Sequence, residues 1–415
     1  MGHTEHARAV PYGPACTAAH DARHKPGKPG TAIAARLEQA ASLVRQGDLA
    51  AAVFTNPVSV RYLSGFYASA YSRLIAVIAS REGQSVLAIP ELERPIAERY
   101  GAAGAVRSYR DRAPAGADAA AAAPTPAAAC AEAIESLGLR GQRLGFELGS
   151  ISYADLERIR QAVAPREVVD VSSWIPRMRA IKSPAEIALI ETAARVVGAA
   201  RERVIAATRR GTTEIEIVRT GLDAGWAAAA TEPDHVFTFF GNTVSGPRSD
   251  AGGGHDLARA RAIQDGDLVF YAWGASCDGY WAMAGRTVYV GGTPPAEVQE
   301  AFRVARESTH RALDALRSGR RAGEVAVAAD AVIDGSPFRD MCPGTVGAGM
   351  GMSMSEPPGL APGVETPITP GMVLRVGHEI YLYGRGTVTC KCLVRVGEDG
   401  DLVFLIEPAQ ALICV

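Results

Sequence analysis

No stretch of this sequence of 415 residues approaches the ~20 consecutive apolar residues that a membrane-spanning helix needs. A charge excess is also missing: 43 Lys and Arg face 45 Asp and Glu, for a net charge of −2. With no electrostatic footprint for a phosphate backbone or an anionic lipid surface, neither nucleic acid nor membrane is expected as a partner. Cysteine is scarce. The seven (Cys16, Cys130, Cys277, Cys342, Cys390, Cys392, Cys414) are odd in number and scattered, which argues against a disulfide framework and for reduced thiols in a cytoplasmic setting. Cys390 and Cys392 flank Lys391 without a second pair nearby, so two small strand side chains on one face is the plainer reading than a soft-metal site. No charged-then-apolar segment suggests export. Residues 1–30 are polar, with Gly, Pro and four histidines, and are expected to form a disordered leader.

What is present suits a globular chain of two or three domains, with 47% hydrophobic and 21% charged residues. The apolar spacing predicts a helix over Ile33–Val44 and strands over Ala50–Thr55, Leu74–Ala79 and Ser85–Pro90. Helical spacing resumes over Glu91–Tyr100, and residues 113–129 read as an Ala/Pro/Gly loop or helix lead-in. A helix over Tyr153–Val163 lies between strands Arg143–Glu147 and Glu167–Val171. Such alternation suits a small α/β domain ending near Ser173–Ser183. Beyond it, helices are expected over Pro184–Arg209, capped by Ser183, and Thr213–Ala230. Leu268–Ala275 and Tyr280–Val290 read as a hairpin turning at Asp278-Gly279. Helices Glu297–Leu316 and Ala322–Ile333 follow, then a Gly- and Met-rich loop, Gly344–Met354. Strands Met372–Val376, Ile380–Tyr383, Thr387–Val396 and Leu402–Ile406 close the chain.

Four stretches resemble the creatinase/prolidase/aminopeptidase P family. Asn56–Phe66 (NPVSVRYLSGF) is similar to its N-terminal domain, and Met178–Ala193 (MRAIKSPAEIALIETA) to the opening of its catalytic domain. Gly266–Thr287 (GDLVFYAWGASCDGYWAMAGRT) is similar to the central hairpin, and Pro370–Leu374 (PGMVL) to the approach to the closing strands. The resemblance implies an α+β chain: a pita-bread catalytic domain over 176–415, preceded by a smaller α/β creatinase-like domain over 31–175. It also implies a homodimer, with each N-terminal domain near the partner's pocket.

The departures from the family bear on chemistry. Its metal-dependent members carry two aspartates in the hairpin, a histidine in the Gly-rich loop, a second histidine before Glu-Pro, and two late glutamates. In this sequence those places are read as Ala272 and Met283, Ala348, Ser355, and Gly377 and Cys390. Two divalent ions need several anionic oxygens on one spot, and neutral surroundings leave their charge uncompensated at a cost of many kcal/mol. No metal and no other cofactor is therefore expected. The emptied positions Ala272, Met283, Ala348, Gly377 and Cys390 should line a roomier, more apolar pocket.

Creatinase itself is a metal-independent member that works with a histidine in the loop before the hairpin. That loop resembles Ser245–His255, which makes His255 the candidate general acid/base; a surface histidine in a Gly loop is the plain alternative. His378, beside Gly377, and Glu356 are further acid/base candidates. Tyr67–Arg73 resembles the segment that in creatinase reaches the other subunit's site, so Arg73, with Tyr67 and Tyr71, is a candidate for holding a substrate anion. Phe240 is a candidate pocket wall. The resemblance thus implies a metal-independent hydrolase, lyase or cyclase acting on a small, partly apolar organic substrate. The chemistry would be C–N hydrolysis, elimination, isomerisation or cyclisation. The alternative is a catalytically inactive relative that binds or scaffolds, since fold alone does not decide function.

Overall fold

The computed structural model describes residues 30–67, 73–100, 104–110, 125–250, 256–317 and 319–415. His255, Tyr71, nearly all of the expected leader and most of the 113–129 segment lie outside them.

The N-terminal half comprises α1 (Gly30–Gln46), β1 (Ala51–Phe54), α2 (Pro57–Ser64), β2 (Ala76–Ser80), β3 (Ser85–Pro90), α3 (Arg94–Tyr100), β4 (Ala105–Tyr109), α4 (Pro126–Ser136), β5 (Arg143–Phe146), α5 (Tyr153–Val163), β6 (Glu167–Asp170) and α6 (Trp174–Met178). Local chemistry starts the helices. Asn56 caps α2, with Pro57 in its first turn, and Ser152 caps α5. Six strands form one sheet in the order β4-β3-β2-β1-β5-β6. Strand side chains alternate between faces, so Ala52 and Phe54 pack with α1 while Ala51 and Val53 pack with α4 and α5.

The C-terminal half opens with α7 (Pro184–Ala207) and α8 (Glu214–Ala229). Each begins with a reciprocal capping box, Ser183 with Glu186 and Thr213 with Glu216. Strands β7 (Phe237–Ser245), β8 (Leu268–Cys277) and β9 (Tyr280–Tyr289) follow, then α9 (Ala296–Arg317) and α10 (Ala322–Asp334). The β8–β9 turn has Asp278 and Gly279 at φ 45° and 82°, the left-handed pair that a tight hairpin requires. A second sheet is built from β10 (Gly347–Gly349), β11 (Glu356–Leu360), β12 (Val373–Val376), β15 (Cys392–Val396) and β16 (Leu402–Ile406), in the order β11-β10-β12-β15-β16. Strands β13 (Glu379–Leu382) and β14 (Gly386–Thr389) form a separate hairpin, and β17 (Ile413–Cys414) pairs with β9. Helices α7 and α8 cover the β7–β9 sheet, and α9 and α10 cover the second. This is the pita-bread arrangement, and the chain is α+β throughout.

Two sequence expectations change. The single strand expected over Thr387–Val396 is two strands in different sheets, separated at Cys390-Lys391. The Gly- and Met-rich loop contributes β10, a central strand of the second sheet. Its glycines permit this: a Cβ at Gly347 would sit 1.9 Å from the Arg375 carbonyl oxygen. Among the described residues, no helix is long and apolar enough to cross a membrane.

Candidate active site

The site is where the two sheets meet. On the hairpin, Ala272 lies opposite Gly285 and Met283 opposite Gly274; on β7, Asn242 and Phe240 continue the same rows. In the second sheet Ala348 lies opposite Arg375. Val376 pairs with Cys392, so Gly377 comes opposite Lys391 and a Cβ there would be 2.8 Å from the Lys391 Cα. The period of two puts Arg375 and Gly377 on one face. Contacts between the sheets close the basin: Arg375 Nη1 is 3.5 Å from Met283 Sδ, and a Cβ at Gly285 would be 3.6 Å from Lys391 Cδ. Ala272 is buried; Phe240, Met283, Ala348, Arg375 and Lys391 are half-buried.

Charge in the basin is concentrated in few groups. Lys391 Nζ is ion-paired with Glu379 Oε1. Tyr381 Oη donates to Glu379 Oε2 at 2.7 Å. Burial pushes the Lys391 ammonium below its usual range, opposed by Glu379. Burial raises the Glu379 carboxyl, but Lys391, Tyr381 and Arg375 outweigh it and hold it below the usual carboxylate range. Burial also lowers Arg375, and lifts the nearby Cys342 thiol to about 12. The basin is therefore not the largely apolar pocket expected.

The one-residue assignment of Cys390 is corrected. Cys390 points away from the basin into a core shared with Phe302, Ile380 and Val388, its Sγ 3.1 Å from the Ala409 carbonyl. Lys391 occupies the basin-facing position instead. The break between β14 and β15 makes this count sensitive, because a slip of one residue exchanges the two faces.

His378 is displaced by the same alternation. It is 1% exposed; its Nδ1 is 2.7 Å from Ser308 Oγ on α9 and its Nε2 3.1 Å from Asp330 on α10. It faces the helices, while Glu379 faces the basin. Burial and then Lys391 push the His378 imidazole down to about 4. A depressed histidine stabilises the fold above its unfolded value near 6.5 and loses that contribution as pH falls toward 4. The drop from 6.5 to about 4 corresponds to about 3 kcal/mol. Denaturant unfolding across that pH range should show stability falling with acid, with a shallower slope for His378→Gln.

Glu356 is not free to exchange protons with a ligand. It is buried, with Arg179 Nη2 at 2.5 Å and Lys182 Nζ at 2.7 Å. Both cations lie on the connection between α6 and α7, so the carboxylate ties that connection to β11. The Tyr67 ring packs under the Arg61 guanidinium at 4.3 Å. Arg73 is exposed and opposes the burial that raises the Glu93 carboxyl. Four basin residues were not singled out as candidates: Arg375, Glu379, Tyr381 and Lys391. The available signal was alternation, since Arg375, Gly377 and Glu379 share a period of two.

The basin does not fit two divalent ions. Among the described residues its donors are a thioether and one carboxylate already held by Lys391 and Tyr381, and two cations point into it. Among the described residues, one trio places three potential metal-binding atoms together, His235, Cys277 and Asp278. It lies at the hairpin tip, where His235 Nδ1 meets Asp278 Oδ2 at 2.7 Å and burial pushes the Cys277 thiol up to about 12.

Residues 188–398 match metallopeptidase family M24, and residues 36–181 match the creatinase/prolidase N-terminal domain. The chain belongs to metallopeptidase family M24, with the creatinase-type N-terminal domain in front. It is 25% identical over 366 residues to the Xaa-Pro dipeptidase of Pyrococcus furiosus, covering 88% of this chain and 96% of that one. It is 26% identical over 377 residues to the agropine synthesis cyclase of Rhizobium rhizogenes, covering 88% and 93%. The solved structure of dipeptidase PepE from Mycobacterium ulcerans superposes with a TM-score of 0.78 at 24% identity, covering 92% and 98%. The relatives are thus largely peptidases, and they include a cyclase.

Proposed function

We propose that this chain is a metal-independent enzyme that transforms a small organic substrate in the basin by proton transfer. One observation carries the reading: where the family's ligands would converge, the chain presents Ala272, Met283, Ala348, Gly377 and the Lys391 ammonium. Hydrolysis by a metal-activated water needs a Lewis acid that this donor set does not accommodate. Lys391 and Glu379, in contact and largely withdrawn from water, form an acid/base couple of the kind that supports elimination, isomerisation or ring closure. His255 remains part of the proposal as a further proton carrier. The relative named as an agropine synthesis cyclase supports ring closure over peptide hydrolysis. A homodimer, bringing Arg73 near a partner's basin, belongs to the same proposal.

Metal analysis of the purified chain tests the reading. Mn, Fe, Co and Zn are expected well below one equivalent. Turnover of a small organic substrate should persist in excess chelator, and added Mn or Co should produce no Xaa-Pro dipeptide hydrolysis. Stoichiometric metal together with chelator-sensitive turnover would overturn it. A chain that binds the substrate without turning it over would favour the binding-protein alternative.

A further inference from the structure

Resting on that reading, we propose that the basin takes a small organic monocarboxylate and that Arg375 is the residue that grips it. Arg375 and Lys391 bring two cations to the sheet junction and Glu379 brings one anion. Glu379 is already engaged by Lys391 and Tyr381. Among the described residues one positive charge is left over, and Arg375 holds it. Its Nη1 meets Met283 Sδ at 3.5 Å, and a thioether is a weak acceptor. Its Nε is buried with no hydrogen-bond partner among the described residues. Glu379 acts on it only beyond ion-pair distance.

A guanidinium withdrawn from water without a directly bound anion is costly; three other arginines pair with carboxylates, and the buried Arg286, which pairs with none, donates to the Gly285, Lys391 and Glu407 carbonyls. Arg179 meets Glu356, Arg248 meets Glu214 and Arg261 meets Asp267. An orphaned fork at a partly open site is what a ligand anion would complete. Its planar donors match a carboxylate through two parallel hydrogen bonds. The residual charge of one favours a monocarboxylate over a phosphate, which brings nearly two negative charges. The neighbouring walls suit a short aliphatic remainder: Ala348 stands opposite Arg375, and Met283 touches it from the hairpin. Met283 and Ala348 leave the space that longer polar side chains would fill.

The test reads binding alone, on the full chain with chelator present, by calorimetric titration and thermal melting. The probes are butyrate, benzoate, butyramide and inorganic phosphate. Butyrate or benzoate is expected to bind saturably and raise the melting temperature, with the uncharged amide and phosphate at least tenfold weaker. Arg375→Met should lose at least tenfold in carboxylate affinity. Ligand-free, it should melt at or above the wild-type temperature, because it removes an uncompensated buried charge; Arg375→Lys should fall between in affinity. Absence of saturable carboxylate binding, tighter phosphate binding, or unchanged affinity in Arg375→Met overturns the proposal. So does a ligand-free Arg375→Met that melts below wild type, which would make Arg375 a structural residue. Metal content is measured separately, so failure here is distinguishable from failure of metal independence.

Discussion

Replacing Glu356 by Ala is expected to cost about 3–5 kcal/mol of folding stability. The reason is what remains. Arg179 and Lys182 are 6% and 4% exposed and share this one carboxylate, so its removal strands two buried cations. Burial already pushes the Lys182 ammonium down, opposed chiefly by Glu356. Without Glu356, the Lys182 ammonium loses its chief compensation for burial, and the connection between α6 and α7 should loosen from β11. Urea unfolding measures the loss. A triple variant replacing Arg179 and Lys182 by Met and Glu356 by Leu should recover most of it, because a buried ionic cluster replaced whole by apolar groups is often near neutral. A single variant as stable as wild type would show that the ion pairs are solvated.

Lys391→Met is expected to reduce turnover by ~10²–10⁴-fold, the typical contribution of a positioned proton donor or acceptor. It should also destabilise the fold, since Glu379 loses the partner that holds its carboxyl low. The two effects separate in a double variant. Adding Glu379→Gln removes the stranded anion and should restore the melting temperature, while turnover stays lost. Recovery of turnover in the double variant would remove Lys391 and Glu379 from the chemistry and leave His255 as the proton carrier. The Lys391 prediction depends on placement, because a lysine one position away along the chain, at Cys390 or Cys392, would point into the helix-covered core.

That dependence marks the limit of what was legible in the residues alone. Caps at Ser183 and Thr213, the Asp278-Gly279 turn and the apolar spacing of α1, α5 and α7 are local signals, and each element lies where its signal predicts. The absence of ligand carboxylates at Ala272 and Met283 was equally readable, because a hairpin of two ten-residue strands keeps an unbroken period of two. The period fails where backbone pairing changes. The chain leaves the β13–β14 hairpin at Thr389 and enters another sheet at Cys392, so counting from Gly377 selected Cys390 where the fold presents Lys391.

The sequence by itself determined the family and the two-part architecture, and it placed neither carboxylate nor imidazole at Ala272, Met283, Ala348 and Gly377. These follow from residue identity in local order and from short-range propensity. Only the tertiary structure decided that Lys391, Glu379 and Arg375 bring charge to these positions, that His378 meets Ser308 and Asp330 while Glu356 meets Arg179 and Lys182, and that Arg375 has no carboxylate partner among the described residues. Each of these is a statement about which side chains meet across strands and helices tens of residues apart. Such meetings depend on register between sheets, and a single-residue shift in register reverses every facing side chain.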